Sequence, residues 1–346
     1  MRRSRVSSRL RLVALLAVIV VAVAGATVYI LRARGQQAAA KAAPGPARTD
    51  LASVVAQPHL VFRNTALGQG YGKVAVVPLA APDGPRALTP TSCERVYAST
   101  RQALCLAANR GLKTTYTARI LGPEWSPTAD LPLPGLPSRA RLSRDGSLAA
   151  TTTFVYGDSY STPGQFSTRT LITRSTGQQV AELEQFRFAV DGRTVGAADR
   201  NFWGVTFAAT GDGDTFYATG ASGGKTWLVK GSVSKRTLTA LREDVECPSL
   251  SPDGTRIAFK KHGDLPAGRW RLAVYDLATG EETVLSESRS VDDQAEWLDD
   301  NTVLYGLSRT GESGAATSDV WAVPADGTGT PRVFVRDAWS PAVVRS

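Results

Sequence analysis

Histidine is nearly absent from this chain. Its 346 residues include two histidines, His59 and His262, which lie far apart in the sequence. A histidine-rich metal site or a Ser/His/Asp triad would require a coincidence of folding, and the sequence has no G-x-S-x-G nucleophile elbow. The sequence therefore predicts no catalytic residue, no metal site and no cofactor, and we expect a protein that is not an enzyme.

Acidic residues are missing from the N-terminal region. Up to Arg48 the chain has nine basic residues and no Asp or Glu, and beyond Arg48 the 31 basic residues balance 31 acidic ones. The net charge of +9 therefore belongs to the N-terminal region, where basic residues flank an apolar run and can meet anionic headgroups. Because the remainder is neutral, we expect no nucleic-acid partner.

Charge is also absent from residues 12–31, an apolar run of twenty. A helix of that length covers about 30 Å, which is the thickness of a bilayer core. Because five arginines precede the run, we expect residues 1–11 to be cytoplasmic, residues 12–31 to be a single-pass transmembrane signal anchor, and the remainder to be extracytoplasmic. The alternative is a signal peptide cleaved near Ala24, which would give a secreted protein. The anchor is favoured because the run exceeds the usual signal core of about 7–15 residues.

Residues 32–56 have little to bury. The stretch from Gly35 to Asp50 is rich in Ala, Gln and Pro, so we expect residues 32–56 to be an extracytoplasmic tether. The remaining residues, 57–346, are enough for one domain with a sizeable core.

Amphipathic helical periodicity is missing beyond residue 50, which excludes doubly wound α/β folds. The chain has hairpins instead. In "LSPDGTRIAF", Leu250 to Phe259, Pro252 presets the first turn position and Gly254 can adopt the left-handed conformation that ends a short loop. A second hairpin, "RLAVYDLATGEETVL", follows from Arg271, which gives a unit of four strands.

The second hairpin of this unit occurs six times, at spacings of roughly 45 to 55 residues that are typical of propeller blades. The copies begin at Lys73, Tyr116, Thr170, Thr226, Arg271 and Asp319. We therefore predict an all-β fold in which residues 57–346 form a six-bladed β-propeller, preceded by one N-terminal transmembrane helix. The segment Ala338 to Val344 should pair with a strand near Leu60, because closing the ring removes an open sheet edge.

The "SPDGTRIAF" unit and its weaker copies resemble the repeat of TolB-like six-bladed propellers, from about Gln57 to about Val344. The resemblance implies a non-catalytic protein-interaction or ligand-recognition module of the cell envelope, whose partner is an unidentified envelope protein or glycan. TolB has a separate domain ahead of its propeller, and here a short tether replaces it, so the partners of TolB are not carried over. The alternative is a hydrolase or lyase that acts on a saccharide or lactone in the central funnel. It would need His, Asp or Glu side chains that converge at the inner ends of several first strands.

The three cysteines bear on whether the protein resides in an oxidising compartment. Cys93 and Cys105 are opposed about Ser99 in a predicted hairpin of the second blade, so we expect a disulfide between them. Such a bond is expected outside the cytosol. Cys247 is predicted to be a buried free thiol that packs as a small apolar residue.

Two stretches are weak candidates for an interaction surface. The first, "DRNFWG", contains Asn201, Phe202 and Trp203, for which packing between blades is the favoured alternative. The second contains Asp292 and Asp293 within an acidic group. For this group and for "GDGD" at 211–214, solvated turns are favoured over calcium ligation. "GASGGKT", at 220–226, has the wrong spacing for a phosphate loop and is predicted to be a hairpin loop. The acidic group consists of Asp292, Asp293, Glu296, Asp299 and Asp300.

Overall fold

The computed structural model describes residues 15–29, 31–32, 44–111, 113–155, 167–208, 213–310 and 316–345. Residues 15–29 and 31–32 are helical. Within the described part of the chain, the helices do not reach the length and apolarity that crossing a membrane requires. The predicted cytoplasmic segment 1–11, residues 12–14 and 30 of the predicted anchor, and residues 33–43 of the predicted tether lie outside the described residues.

The described residues from 59 onwards form six sheets, each built on four antiparallel strands, so the six-bladed propeller is confirmed. In order from the inner to the outer strand, blade 1 consists of β26 (Ala338–Val344), β1 (His59–Asn64), β2 (Lys73–Pro78) and β3 (Ala87–Ser92). Blade 2 consists of β4 (Arg95–Ala98), β5 (Ala103–Asn109), β6 (Thr115–Leu121) and β7 (Pro127–Leu131). Blade 3 consists of β8 (Leu136–Leu142), β9 (Leu148–Val155), β10 (Ser167–Arg174) and β11 (Gln179–Glu182). Blade 4 consists of β14 (Asn201–Phe207), β15 (Thr215–Ser222), β16 (Lys225–Ser232) and β17 (Thr237–Glu243). Blade 5 consists of β18 (Glu246–Leu250), β19 (Arg256–Lys261), β20 (Arg271–Asp276) and β21 (Glu282–Val284). Blade 6 consists of β22 (Glu296–Asp299), β23 (Thr302–Thr310), β24 (Ala316–Pro324) and β25 (Arg332–Val335). A 3₁₀ turn (Leu183–Gln185) precedes two further strands, β12 (Arg187–Val190) and β13 (Arg193–Thr194), which extend the outer edge of blade 4 beyond β17.

The C-terminal strand closes the ring. Strand β26 pairs with β1, with Val344 opposite His59 and Val343 opposite Leu60, as the sequence predicted. Each of the six inner strands β26, β4, β8, β14, β18 and β22 contacts the next one around the ring. The N-terminal and C-terminal ends of the domain therefore share one blade, and this pairing fastens the ring closed.

The hydrophobic core is divided among the blade interfaces. Six apolar clusters of described residues each lie between two neighbouring sheets. The cluster between blades 3 and 4, for example, packs Phe202 edge-on against Phe188, with ring centroids 5.4 Å apart. Apolar side chains therefore face the next sheet on both sides of a blade, so a central strand such as β2 is a short continuous apolar run whose residues 74–77 are all buried.

Short polar turns end the first hairpins. In blade 5 the Asp253 carboxylate accepts hydrogen bonds from the Ser251 hydroxyl and the Thr255 amide, and Gly254 has φ +77°. Blade 3 repeats this arrangement in its turn Ser143–Ser147, where Asp145 is the acceptor. The turn chemistry read from "SPDG" is therefore confirmed and recurs at "SRDG".

The predicted disulfide joins Cys93 to Cys105, with 5.5 Å between the Cα atoms. The hairpin register predicted for it is wrong. Val96 lies opposite Cys105, and the hairpin is centred between Thr100 and Arg101 because Ser99 itself hydrogen-bonds across the turn to Gln102. Cys93 precedes β4 and its amide donates to Gly72 of blade 1. The disulfide therefore ties the connection between blades 1 and 2 to the second strand of blade 2.

The segment ahead of β1 packs on blade 1. Arg48 forms a parallel bridge with Arg86, next to the outer strand β3. A short helix, Leu51–Val55, follows, and its N-cap Asp50 accepts a hydrogen bond from the Ser53 amide at 2.8 Å. Val54 of this helix is buried between blades 1 and 2. Val54, and in part Leu51, of the predicted tether therefore contribute to the core, whereas residues 47–50 are exposed.

Candidate functional site

The axial channel of the ring is lined by alternate residues of the inner strands. Because side chains of a strand point to opposite sides in turn, residues two apart face the axis together. On β4 these are Arg95 and Tyr97, and on β8 they are Arg139 and Arg141. We call the end at which the inner strands begin the strand-start end, and the end at which they turn into their hairpins the hairpin end.

Asp293 is the buried anion of the strand-start end. Its carboxylate accepts a hydrogen bond from Arg95 at 2.7 Å and from the Gly306 amide at 3.1 Å, and its side chain is 1% exposed. A Cβ atom at Gly306 would clash with the Trp339 ring and with this carboxylate, so the approach requires glycine. The Arg95 guanidinium lies 4.8 Å from the centre of the same Trp339 ring. Charge pairing and stacking together fill this part of the axis.

Lys260 is the buried cation of the same end. Its ammonium lies 2.7 Å from Asp292 and 3.8 Å from Glu246, and 4.1 Å from the centre of the Trp270 ring. Glu246 in turn accepts a hydrogen bond from the Trp270 indole, and His262 Nε2 lies 3.0 Å from its Oε1 atom. The pairing leaves no excess charge on Lys260, which agrees with its almost complete burial.

Arg139 connects these groups to the free cysteine. Its guanidinium donates to Asp292 at 3.4 Å and to the Cys247 sulfur at 3.3 Å. Cys247 is buried and unpaired with another cysteine, as the sequence predicted. Its amide donates to the Thr219 hydroxyl, at a bulge where Cys247 has φ +50°. The contact with Arg139 makes this thiol part of the polar axis as well as part of the core.

At the hairpin end, Arg141 and Glu296 form a buried ion pair. The two side chains are 2.5 Å apart and less than a tenth exposed. Arg141 also donates to the Ser249 hydroxyl, and the Glu296 carboxylate also accepts from the Tyr97 hydroxyl and the Val343 amide. Five of the six blades therefore contribute to this one contact.

The two ends of the channel shift carboxyl pKa values in opposite directions. Burial raises the pKa of Glu296, and the attraction of Arg141 offsets only part of that rise. Partial desolvation by the neighbouring blades also acts to raise the pKa of Asp292, whose side chain is 63% exposed, but Lys260 and Arg139 outweigh this effect and the pKa lies below its ordinary value. Burial and the neighbouring Glu296 raise the pKa of the Tyr97 hydroxyl, which therefore stays protonated.

A cavity of about 380 Å³ opens above the Arg141–Glu296 pair at the hairpin end. Its size lies in the range of small-molecule sites. Its rim includes Arg144 and Arg345, and its wall combines apolar side chains with Ser and Thr residues. At the strand-start end, the space among Arg95, Arg139 and their neighbours is about 20 Å³, which is close to the size of one water molecule.

The candidate residues predicted from the sequence fall in two places. Phe202 is buried between blades 3 and 4, Trp203 is half-buried, and Asn201 accepts a hydrogen bond from the Thr168 amide at 2.8 Å. Packing, the favoured alternative for that stretch, is therefore what the structure shows for Phe202. Asp292 is exposed at the strand-start end, whereas Asp293 is buried beside it.

The interpretation of the acidic group as solvated turns is wrong for two members. Asp293 and Glu296 are buried on the axis because arginines from blades 2 and 3 neutralise them. Asp299 and Asp300 do lie in a turn, where they accept hydrogen bonds from the Asn301 and Asp253 amides. Among the described residues, no group of three or more His, Cys, Asp or Glu side chains is arranged to hold a metal ion.

The glycine-rich candidates are turns where the structure describes them. Gly223 and Gly224 form the two-residue loop between β15 and β16, so the hairpin predicted for "GASGGKT" is confirmed. Residues 211 and 212 of "GDGD" lie outside the described residues. Asp214, at the end of that stretch, accepts a hydrogen bond from the Ser232 hydroxyl at 2.7 Å.

Sequence reasoning missed the charged axis. The signal was present as polar residues two apart in strands that are otherwise apolar, such as Arg139 and Arg141 or Gln294 and Glu296. A polar residue on the buried side of a strand requires a partner. The partner could not be found from sequence, since Arg141 and Glu296 are 155 residues apart.

The comparison with solved structures agrees with this architecture. The TolB protein of Acinetobacter baumannii superposes with a TM-score of 0.57 at 15% sequence identity, over 84% of this chain and 67% of TolB. The chain shares its fold with TolB. At 15% identity the likeness establishes the fold alone. No protein-family model matches the sequence, and no curated protein sequence matches it either.

Two further structures superpose less closely, with TM-scores below 0.5, and no conclusion is based on them. A TolB protein of Agrobacterium tumefaciens gives 0.48 at 14% identity, over 80% of this chain and 87% of that protein. A puromycin-hydrolysing peptidase of Mycobacterium tuberculosis gives 0.44 at 15% identity, over 86% of this chain and 56% of the peptidase.

Proposed function

We propose that the protein is a membrane-tethered, extracytoplasmic propeller that recognises a protein or ligand at the cell envelope without catalysing a reaction. The observation that carries the proposal is the axial channel. At the strand-start end its charged side chains neutralise one another in a space of about 20 Å³, and at the hairpin end a cavity of about 380 Å³ remains open. Loops on a rigid closed ring suit recognition because they are held without large movement.

The disulfide supports the extracytoplasmic location. Bonds such as Cys93–Cys105 persist in oxidising compartments and are rare in the cytosol. The basic residues before residue 12 and the apolar run that follows them support attachment to the membrane with the N-terminus inside. A cleaved signal peptide remains the alternative to an anchor, and the mature N-terminus of the purified protein distinguishes the two.

Site-specific photo-crosslinking in cells tests the proposal. A benzophenone amino acid replaces Arg144, at the rim of the cavity, in the full chain. The matched control position is Arg174, which is exposed beside the same blade-3 turn but does not line the cavity. We expect a crosslinked partner from position 144 and none from position 174. Equal products at both positions, or products only from Asp292 at the other end, would contradict a hairpin-end recognition site.

One observation favours a second candidate function, a hydrolase or lyase that acts on a saccharide or lactone in the funnel. Glu296 lies at the floor of the cavity beside the Tyr97 hydroxyl, and burial raises its pKa above the ordinary value, as in carboxyl groups that serve as general acids. Against it, Arg141 and Val343 already occupy the Glu296 oxygens. A screen of lactones and oligosaccharides decides between the two functions. Turnover of one of these compounds that Glu296→Gln abolishes would show that the protein is an enzyme and would contradict the non-catalytic function.

A further inference from the structure

The hairpin-end cavity has an excess of positive charge in its lining. Three arginines, Arg141, Arg144 and Arg345, line it against one carboxylate, Glu296. Arg141 is neutralised by Glu296. Arg144 and Arg345 form no ion pair with any residue that the structure describes; Arg345 donates to the Leu298 carbonyl oxygen. The rim therefore carries two guanidinium groups whose charge is not balanced inside the cavity.

The acidic side chains of the surrounding turns do not neutralise these two guanidinium groups inside the cavity. Asp145 is held by hydrogen bonds from Ser143 and Ser147 of its own turn. Asp253 is held in the same way in the corresponding turn of blade 5. Neither carboxylate lines the cavity. An anion in the cavity would therefore meet arginine side chains before it met a free carboxylate.

The wall between the rim and the floor combines Ser and Thr residues, such as Thr206 and Ser251, with an apolar part. Phe207, Leu250 and Trp297 contribute to it from blades 4, 5 and 6. The Arg141–Glu296 pair and Tyr97 form a polar floor below. An occupant that fits this lining has an apolar part that packs on these side chains and a negatively charged group that reaches the rim, because guanidinium groups bind carboxylates and phosphates through paired hydrogen bonds.

We infer that the hairpin-end cavity binds a small organic oxyanion, a carboxylate or a phosphate monoester, with its anionic group against Arg144 and Arg345 and its apolar body against the wall. The inference rests on the proposed function, of which it names the ligand class. A volume of about 380 Å³ suits a small molecule better than a folded protein surface. Because both arginines are at the rim, binding should weaken as salt concentration rises.

Isothermal titration calorimetry on the full chain in nanodiscs tests the inference with three probes that share a phenyl ring. These are 3-phenylpropionate, phenyl phosphate and the neutral 3-phenylpropionamide. We expect both anions, or one of them, to bind at least about tenfold more tightly than the amide. Their relative affinity identifies carboxylate or phosphate as the natural group. Equal affinity for all three, or no binding at millimolar concentration, would overturn the inference.

Matched variants locate the binding. In the double variant Arg144→Gln with Arg345→Gln, anion affinity should fall at least about tenfold while the amide is unaffected. Arg174→Gln removes an exposed guanidinium from the same face of blade 3 and should change neither affinity. Unchanged anion binding in the double variant would place the ligand elsewhere. If position 144 crosslinks a partner in cells but no anion binds, the recognition function stands and the ligand class is wrong.

Discussion

The two ends of the axial channel contain similar buried ion pairs but differ in the space that remains around them. At the strand-start end, Arg95 and Asp293 are packed against Trp339 and Gly306, and little space remains. At the hairpin end, Arg141 pairs with Glu296 just as closely, yet a cavity remains above the pair. Buried ion pairs therefore seal one end of the ring and form the floor of a site at the other. The comparison shows that the packing around a charge, and not the charge itself, decides whether the channel is open.

The largest effect is expected from Asp293→Ala. The change leaves Arg95 and the Gly306 amide without their buried acceptor, and removal of one partner of a buried pair costs about 3–5 kcal/mol. Denaturant unfolding measures the loss. The control is Asp292→Ala, which removes an exposed carboxylate and leaves Lys260 with Glu246, for an expected loss of about 1–2 kcal/mol. Equal losses would show that the strand-start end is not sealed at Asp293.

The disulfide should come next in size. Cys93 leads into β4, which carries Arg95, so the bond fastens one strand of the sealed end. Closing a loop of this length in the unfolded chain stabilises by up to about 3 kcal/mol. We expect the double variant Cys93→Ser with Cys105→Ser to lower the free energy of unfolding by no more than that. Cys247→Ser, which keeps an acceptor near Arg139, should have a smaller effect, and the reverse order would contradict the account.

The two ends should also differ in pH dependence. The raised pKa of Glu296 contributes stability that is fully present below about pH 4.5 and is lost as the pH rises through the raised value. The lowered pKa of Asp292 contributes stability that is present above about pH 3.8 and is lost as the pH falls through the lowered value. We expect the stability of wild type relative to Glu296→Gln to fall as pH rises, and relative to Asp292→Asn to fall as pH falls. Parallel trends for the two variants would show that the ends are not electrostatically distinct.

The smallest effect is expected at the rim of the cavity. Arg144 is exposed and has no ion-pair partner among the described residues, so Arg144→Gln should change stability by less than about 0.5 kcal/mol. A thermal melt in parallel with Arg174→Gln measures it. A much larger loss would mean that Arg144 supports the fold, in which case it could not serve as a free ligand-binding group.

Local chemistry explains what was predictable from the sequence. The turn residues of "SPDG" and the alternation of apolar residues act within one hairpin, so the six blades, the ring closure at Leu60 and Val343, and the Cys93–Cys105 bond followed from short stretches. The register at Ser99 failed because the turn hydrogen bonds of that residue, and not the cysteine spacing, set the hairpin centre. The pairs Arg95–Asp293 and Arg141–Glu296 could not be predicted, since each joins residues of different blades.

Thiol labelling of the folded protein tests the difference between the two ends most directly. Cys247, at the strand-start end of β18, is the free cysteine of the described chain, and Leu250 on the same strand lines the hairpin-end cavity. We expect Cys247 of the wild type to resist a maleimide until the protein unfolds, and a cysteine placed by Leu250→Cys in a Cys247→Ala background to react in the folded state. Labelling of Cys247 at the same rate as the cysteine at position 250 would contradict a channel that is sealed at one end and open at the other.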